Sequence, residues 1–490
     1  MRVDARAAAV VAALLAAACG PVARLTRPDG DGGWSAARRH DELAARAASA
    51  GVRLDAVPAP PVAPTGPLDL AAALALAGHG NRRIAEAEAQ VDAARARALQ
   101  ARGRLLPSTT GSGRYTRYTD PLTTTVSLPP QARRLFGGQA PVVVVREDEA
   151  ATFDGTLAIP LDVSGELRAA LRAAQAGYRG ERARAWATTL EQQTVVVRAY
   201  YELLQAKRLR EVTEQTLALD RRQLGIARSR FDAGRLTKND LLVVQVELSN
   251  AEEELVQRDL AIDEARWTFN QAVGLPVDAP TALADVAGRP DVPAVDEALR
   301  AAYGANPVLQ SLVEEQQRLE AAATAVARGW LPRVSGGGAI DYTTSGIVQP
   351  QRVGAGFVGL TWDLGTDTIR AEQLAEARAE VARNRIAVER DLRELEAAVR
   401  SAQRATAERL SALHAAEAAV GSAEENLRIR QEQFDAGRAQ SDDVLIAQAV
   451  LTRQRATLAT ALYEAHTRRA ELQQLMGLPL DGLASSPGTS

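Results

Sequence analysis

Residues 231–248 read Phe-Asp-Ala-Gly-Arg-Leu-Thr-Lys-Asn-Asp-Leu-Leu-Val-Val-Gln-Val-Glu-Leu, and residues 434–451 read Phe-Asp-Ala-Gly-Arg-Ala-Gln-Ser-Asp-Asp-Val-Leu-Ile-Ala-Gln-Ala-Val-Leu. One offset of 203, with no gap, pairs Gly234 with Gly437, Arg235 with Arg438, Asp240 with Asp443 and Gln245 with Gln448. It also pairs Gly274-Leu275-Pro276 with Gly477-Leu478-Pro479. A proline-free stretch precedes each turn, about 166–230 and 368–433. In the second, Leu392, Val399, Thr406, Leu413, Val420, Leu427 and Phe434 recur every seven residues; in the first, Leu203, Leu217, Leu224 and Phe231 keep the equivalent phase. Sustained heptads make a coiled-coil seam, and at 1.5 Å per residue each rod is about 100 Å long. Gly234 and Gly437 end the rods, as glycine does just past a helix C-terminus. A return helix follows each, about 238–273 and 440–474, so each pair is an antiparallel hairpin.

A second match lies upstream. At an offset of 225, Ala73-Leu74 pairs with Ala298-Leu299, Asn81 with Asn306, and Leu106-Pro107 with Leu331-Pro332. The offset is 201 where Asp162 pairs with Asp363, so the first copy carries 24 extra residues, placed within 120–150. The chain reads as a duplication, 67–293 and 294–479. Each copy opens with a helix, about 69–105 and 295–330, stopped by Leu-Pro because the residue before proline is pushed out of the helical region. Two strands follow in each copy, about 108–119 and 151–161, then about 333–343 and 353–363. Phe153, Gly155, Leu157, Ile159 and Leu161 share one parity against Thr152, Asp154 and Thr156, which is strand alternation. The fold class is therefore mainly α with a small β part.

Strands of ~10 residues have the length of membrane-crossing strands. Four cannot close a barrel, since the smallest membrane barrels use eight, and an open edge in lipid leaves backbone groups unsatisfied. Either the strands form a small soluble sheet, or several chains share one barrel; three chains give twelve strands.

Composition narrows the function. Of 490 residues 46% are hydrophobic and 24% charged, with 58 basic against 61 acidic side chains. A net charge of -3 removes the electrostatic case for nucleic acid. Aromatics at 4% argue against a large all-β domain. One cysteine permits no intramolecular disulfide, and His40, His79, His414 and His466 are scattered. There is no nucleophile motif, phosphate-cradling loop or metal-spaced cluster, so no enzyme, cofactor or metal is expected. Phe231 and Phe434 read as seam packing, His414 and His466 as solvated, and Glu252, Glu253 and Glu254 as a wet helix face. Asp240 and Asp443 read as acids favoured by the dipole of a helix N-terminus.

At the N-terminus, Arg2 and Arg6 precede an apolar run, Ala7 to Ala18, too short to span a bilayer. Residues 1–18 read as a secretory signal. The run ends in Leu15-Ala16-Ala17-Ala18-Cys19, which resembles a lipobox with Cys19 as the lipidated residue; the other reading is an ordinary cleavage near Ala18 with Cys19 incidental. Residues 19–66 carry Pro58, Pro60, Pro61 and Pro64 and read as an extended segment. Residues 480–490 form a tail.

Taken together, the doubled Leu-Pro ends, the paired Phe-Asp-Ala-Gly-Arg turns, the Asp-(Leu/Val)-Leu after each and both Gly-Leu-Pro stops resemble the TolC/OprM family of outer-membrane efflux proteins. Leu161-Asp162-Val163-Ser164-Gly165 and Trp362-Asp363-Leu364-Gly365 resemble its strand-to-helix entry. The resemblance spans 67–479. It implies a homotrimer with a twelve-stranded barrel in the outer membrane and a long α-helical tunnel in the periplasm of a Gram-negative bacterium. It implies a passive duct of a tripartite efflux or type I secretion system, whose partners are a periplasmic adaptor, an inner-membrane pump of RND or ABC type, and outer-membrane lipid. It places the turns at Gly234, Arg235, Gly437 and Arg438 at the periplasmic tip, in contact with the adaptor, and Asp240 and Asp443 at the tip aperture. The sequence departs from the family at Ala439, where an Arg is usual, and at Ile446, where a second Asp is usual. The rival reading is a periplasmic coiled-coil lipoprotein acting as a structural or adaptor module, with its strands in a soluble sheet.

Overall fold

The structure is a computed structural model that describes residues 66–137, 139–285, 288–362, 367–436 and 438–480. The expected signal segment, Cys19, Gly437, Asp363, Gly365 and residues 481–490 lie outside the described residues.

The first half runs α1 (Leu70–Gly80), α2 (Arg82–Gly103), β1 (Ser108–Arg117), β2 (Leu122–Thr125), β3 (Val142–Arg146), β4 (Glu149–Leu161), α3 (Glu166–Asp232) and α4 (Lys238–Val273). The second runs α5 (Val295–Ala305), α6 (Pro307–Arg328), β5 (Arg333–Thr343), β6 (Arg352–Thr361), α7 (Asp367–Asp435) and α8 (Ser441–Leu475). Helices α3 and α7 have 67 and 69 residues, about 100 Å each. Their heptad residues point inward: Leu203, Val399, Thr406 and Leu413 are all but inaccessible, and Leu217, Leu224, Leu427 and Phe434 are buried. The seam loosens at its ends, where Leu392 is 38% and Phe231 37% exposed. The expectation that Phe231 packs in the seam is thus corrected, whereas its counterpart Phe434 does pack there.

The single helices expected over 69–105 and 295–330 are each broken in two. Asn81 and Asn306 hold extended backbone, and their Oδ1 atoms accept from Arg83 and Ile84 N–H and from Val308 and Leu309 N–H. Each is an N-cap that starts a new helix. Each also reaches across: Asn306 Nδ2 donates to Leu475 C=O at 2.9 Å and Asn81 Nδ2 to Ala272 C=O at 3.4 Å. The Gly of each Gly-Leu-Pro stop makes room for this. Gly274 has φ +87°, and a Cβ there would sit 2.8 Å from Gly80 C=O; Gly477 has φ +75° and is closed off in the same way by Ala305 C=O.

The largest core lies at this mid-level. Tyr200, Phe269, Val196, Val197 and Leu203 are sealed under α1, and Tyr200 Oη donates to Ala284 C=O at 2.5 Å and Leu68 C=O at 3.2 Å. A smaller core joins α5 to α7 and α8 through Ala298, Val399 and Leu472. His466 belongs to this belt. Its ring stacks on Tyr201 at 5.0 Å and its Nε2 lies 3.2 Å from Gly288 C=O. It is not a solvated residue, as its charged surroundings in sequence suggest; His414 is exposed.

At the far end from the turns, β1, β4, β5 and β6 form one antiparallel sheet in that order, so β1 and β6 are its edges. The register pairs Phe153 with Tyr342, Leu157 with Gly338 and Leu161 with Val334 on one face, which continues through Ile340, Val358 and Leu360. Ser112, Thr152, Asp154, Thr156, Asp341 and Thr343 share the other face, which Val353 and Phe357 interrupt. The apolar face stands open: Ile340 is 64% and Val358 80% exposed. The extra residues of the first half fold as a separate ribbon, β2 with β3, whose Val142, Val143, Val144 and Val145 are all exposed. Among the described residues no helix is long and apolar enough to cross a membrane.

Candidate functional site

The candidate site is the end of the two hairpins where α3 turns into α4 and α7 into α8. Gly234 holds φ +69°. Its N–H donates to Phe231 C=O at 2.9 Å and Arg235 N–H donates back to Arg230 C=O at 2.8 Å. These bonds satisfy carbonyls that the helix end would otherwise leave unpaired, and only glycine takes that φ without strain. The second turn closes alike, with Arg438 N–H donating to Gln433 C=O at 2.8 Å. Arg235 and Arg438 are exposed.

Asp240 and Asp443 are both capping acids. Asp240 Oδ2 accepts from Thr237 N–H at 3.2 Å and Thr237 Oγ1 at 2.7 Å, and Thr237 Oγ1 accepts from Asp240 N–H at 3.2 Å. Asp443 Oδ2 accepts from Gln440 N–H at 3.0 Å in the same box at the start of α8. Each box satisfies two orphan N–H groups of a helix N-terminus. The structure therefore gives both acids a local structural task at the level of the turns.

Two small clusters stabilise the tip. Leu224, Ala227 and Val244 pack with Leu236 and Leu445, and Leu427, Phe434, Val444 and Leu451 pack with Ala439. The Arg230 guanidinium lies 3.7 Å over the Phe434 ring and ties the two turns together. From there a polar seam climbs between α3 and α8. Gln448 Nε2 donates to Asp220 Oδ1 at 2.7 Å, the Thr216 and Thr452 hydroxyls share a hydrogen bond of 2.8 Å, Gln205 donates to Thr460 at 3.1 Å, and Arg198 pairs with Glu471 at 2.7 Å.

Asp220 is buried within this seam. Burial first, and the Glu247 carboxylate second, push its pKa above the usual carboxylate range, against the Gln448 donor that lowers it. Neither Asp220 nor Arg230 is a residue that sequence pattern singles out. Both sit among other charged residues in the sequence, although Gln448 is one of the positions that recur at the 203 offset. Among the described residues no group of three or more His, Cys, Asp or Glu is placed to hold a metal ion.

The sequence profile described as outer membrane efflux protein matches residues 73–275 and 298–478. Comparison with curated proteins yields no match. Solved structures with this fold include the outer membrane protein VceC of Vibrio cholerae, at 18% identity and a TM-score of 0.69 over 83% of this chain and 96% of that one. The Campylobacter jejuni CmeC outer membrane channel matches at 15% identity and 0.69 over 83% and 85%. The open state of the Neisseria gonorrhoeae MtrE outer membrane channel matches at 16% identity and 0.64 over 84% and 89%.

Proposed function

The chain belongs to the outer membrane efflux protein family, and from that premise we propose that it is the exit duct of a tripartite efflux or type I secretion system. Three copies assemble into a passive channel. The four-stranded sheets join edge to edge, β6 of one copy to β1 of the next, into a twelve-stranded barrel in the outer membrane. The hairpins form a helical tunnel through the periplasm, and the N-terminus is anchored by lipid at Cys19.

The observation that carries this reading is the sheet. It has one open apolar face and two edges with single neighbours. Water penalises the first; lipid penalises the second, which is also a ready template for pairing with another strand. Closure with other copies removes both. Aromatic residues flank the apolar band, Trp330 and Trp362 at the helical end and Tyr115, Phe153 and Tyr342 at the other. The eight steps from Val334 to Tyr342 rise about 26 Å at ~3.3 Å each, which matches the apolar band of membrane barrels.

At the opposite end, the turns at Gly234, Arg235, Gly437 and Arg438 meet a periplasmic adaptor, and an inner-membrane pump of RND or ABC type supplies the energy. Asp240 and Asp443 set two rings of three carboxylates around a tip aperture, and such rings favour cations in a narrow pore. Helix pairs that untwist at the tip widen it.

The test is the mass of the detergent-solubilised protein, with and without Cys19→Ala. A trimer in both cases is the expected result and makes the lipid only an anchor. A monomer that becomes fully soluble once Cys19 is lost overturns the channel reading in favour of a periplasmic coiled-coil module.

A further inference from the structure

Just above the tip, α4 and α8 flank a groove of about 400 Å³ whose floor is α3. Its lining divides by chemistry. Val243, Leu445, Ile446 and Ala449 give it apolar walls, and Asp220, Glu247, Thr216 and Gln448 give it a polar floor and rim. Among the described residues no lysine or arginine lines it.

Asp220 is the unusual member. It is only 7% exposed, and a carboxylate withdrawn from water to that degree is costly unless a cation meets it. Its hydrogen-bond donor is the neutral Gln448 amide, and the charge that acts on it is a second carboxylate, Glu247. The groove thus concentrates negative charge beside exposed apolar side chains: Val243 is 42% and Ile446 63% exposed. A small metal ion would leave the apolar walls unused. A neutral apolar molecule would leave the carboxylates unmatched.

We propose that this groove binds lipophilic organic cations, with Asp220 and Glu247 facing the charge and the Val243, Leu445 and Ile446 side chains covering the apolar body. Burial and Glu247 hold the Asp220 pKa above the usual range, so a proton competes with the cation for this carboxylate. The titratable groups facing the site are Asp220 from α3 and Glu247 from α4; α8 contributes Gln448, Leu445, Ile446 and Ala449, none of which titrates. Affinity therefore rises with pH over the range in which Asp220 gives up its proton.

The experiment is titration calorimetry of tetraphenylphosphonium into the detergent-solubilised full-length protein, with uncharged triphenylphosphine oxide as the control. The expected result is saturable binding of the cation at one site per chain, tighter at higher pH, with no saturable binding of the neutral compound. Asp220→Asn keeps the shape and the oxygen that Gln448 addresses, and it weakens binding by about tenfold or more. Glu247→Gln lies on an exposed position, so the fold is retained, and it weakens binding less. Equal affinity in wild type and both variants, or equal affinity for the neutral compound, overturns the proposal. A pH-dependent stability that Asp220→Asn abolishes, with no saturable cation binding in the wild type, also overturns it and leaves a proton as the only occupant.

Discussion

The mid-level belt and the tip hold the same helices together by different means. In the belt, Tyr200, Phe269 and Leu203 are fully enclosed, α1 closes over them, and the side chains of Asn81 and Asn306 stitch the broken helices to the returning ones. At the tip the clusters are small, mostly Leu, Val and Ala, and the hairpins are joined by single hydrogen bonds and by Arg230 on Phe434. Each such contact contributes about 1 kcal/mol net, whereas an enclosed aromatic contributes several. The same pair of rods is therefore fixed at its middle and cheap to separate at its end.

The contrast can be broken at the belt first. Phe269→Ala empties a fully buried position and lowers global stability by about 3–5 kcal/mol, read as a fall in the denaturant midpoint. Gly274→Ala comes next. It forces a Cβ onto Gly80 C=O at a φ of +87° and costs about 1–3 kcal/mol, on the same measurement, while leaving the tip sequence untouched.

At the tip, Arg230→Ala removes the bridge between the turns for only about 0.5–1 kcal/mol. Its expected signature is faster amide exchange around residues 230–240 and 430–445 with an unchanged global midpoint. A fall in global stability of belt size would contradict the difference between the regions.

The smallest effect sharpens the comparison by pH. Burial lowers the His466 pKa below its usual value. The unfolded chain therefore takes up the proton more readily than the folded one, and the stabilising contribution, present above the unfolded pKa, is lost as pH falls through the folded pKa. Melting curves from pH 8 to pH 5 should show this loss in the wild type and a shallower one in His466→Phe, which keeps the stack on Tyr201. The slope should not change in Asp240→Asn, a change confined to the tip.

What the sequence revealed follows the range of the interactions involved. The Phe-Asp-Ala-Gly-Arg turns were legible because a glycine at positive φ and its capping bonds are local. The strand expected over about 151–161, and found over Glu149–Leu161, was legible because its two faces meet different surroundings, and alternation records that. The break at Asn306 had a signal in Pro307, which suits the first turn of a helix and follows a residue able to cap it; Asn81 is followed by Arg82 and carries no such mark beyond its equivalence to Asn306. The partial burial of His466 involves a contact with Gly288, 178 residues away. The burial of Asp220 depends on Gln448, 228 residues away. Neither distance is encoded in the charged runs around them.

The open edges of β1 and β6 also bear on how the protein matures. Helical hairpins are built from contacts close in sequence and form early, while strand pairing across long separations is slow. On the proposed assembly, the last hydrogen bonds to form belong to no single chain. A lone protomer is then an intermediate with sticky edges, and its lifetime is set by how soon it meets two others. Yield should fall when synthesis is dilute, and misassembly should rise when chains crowd before reaching the lipid.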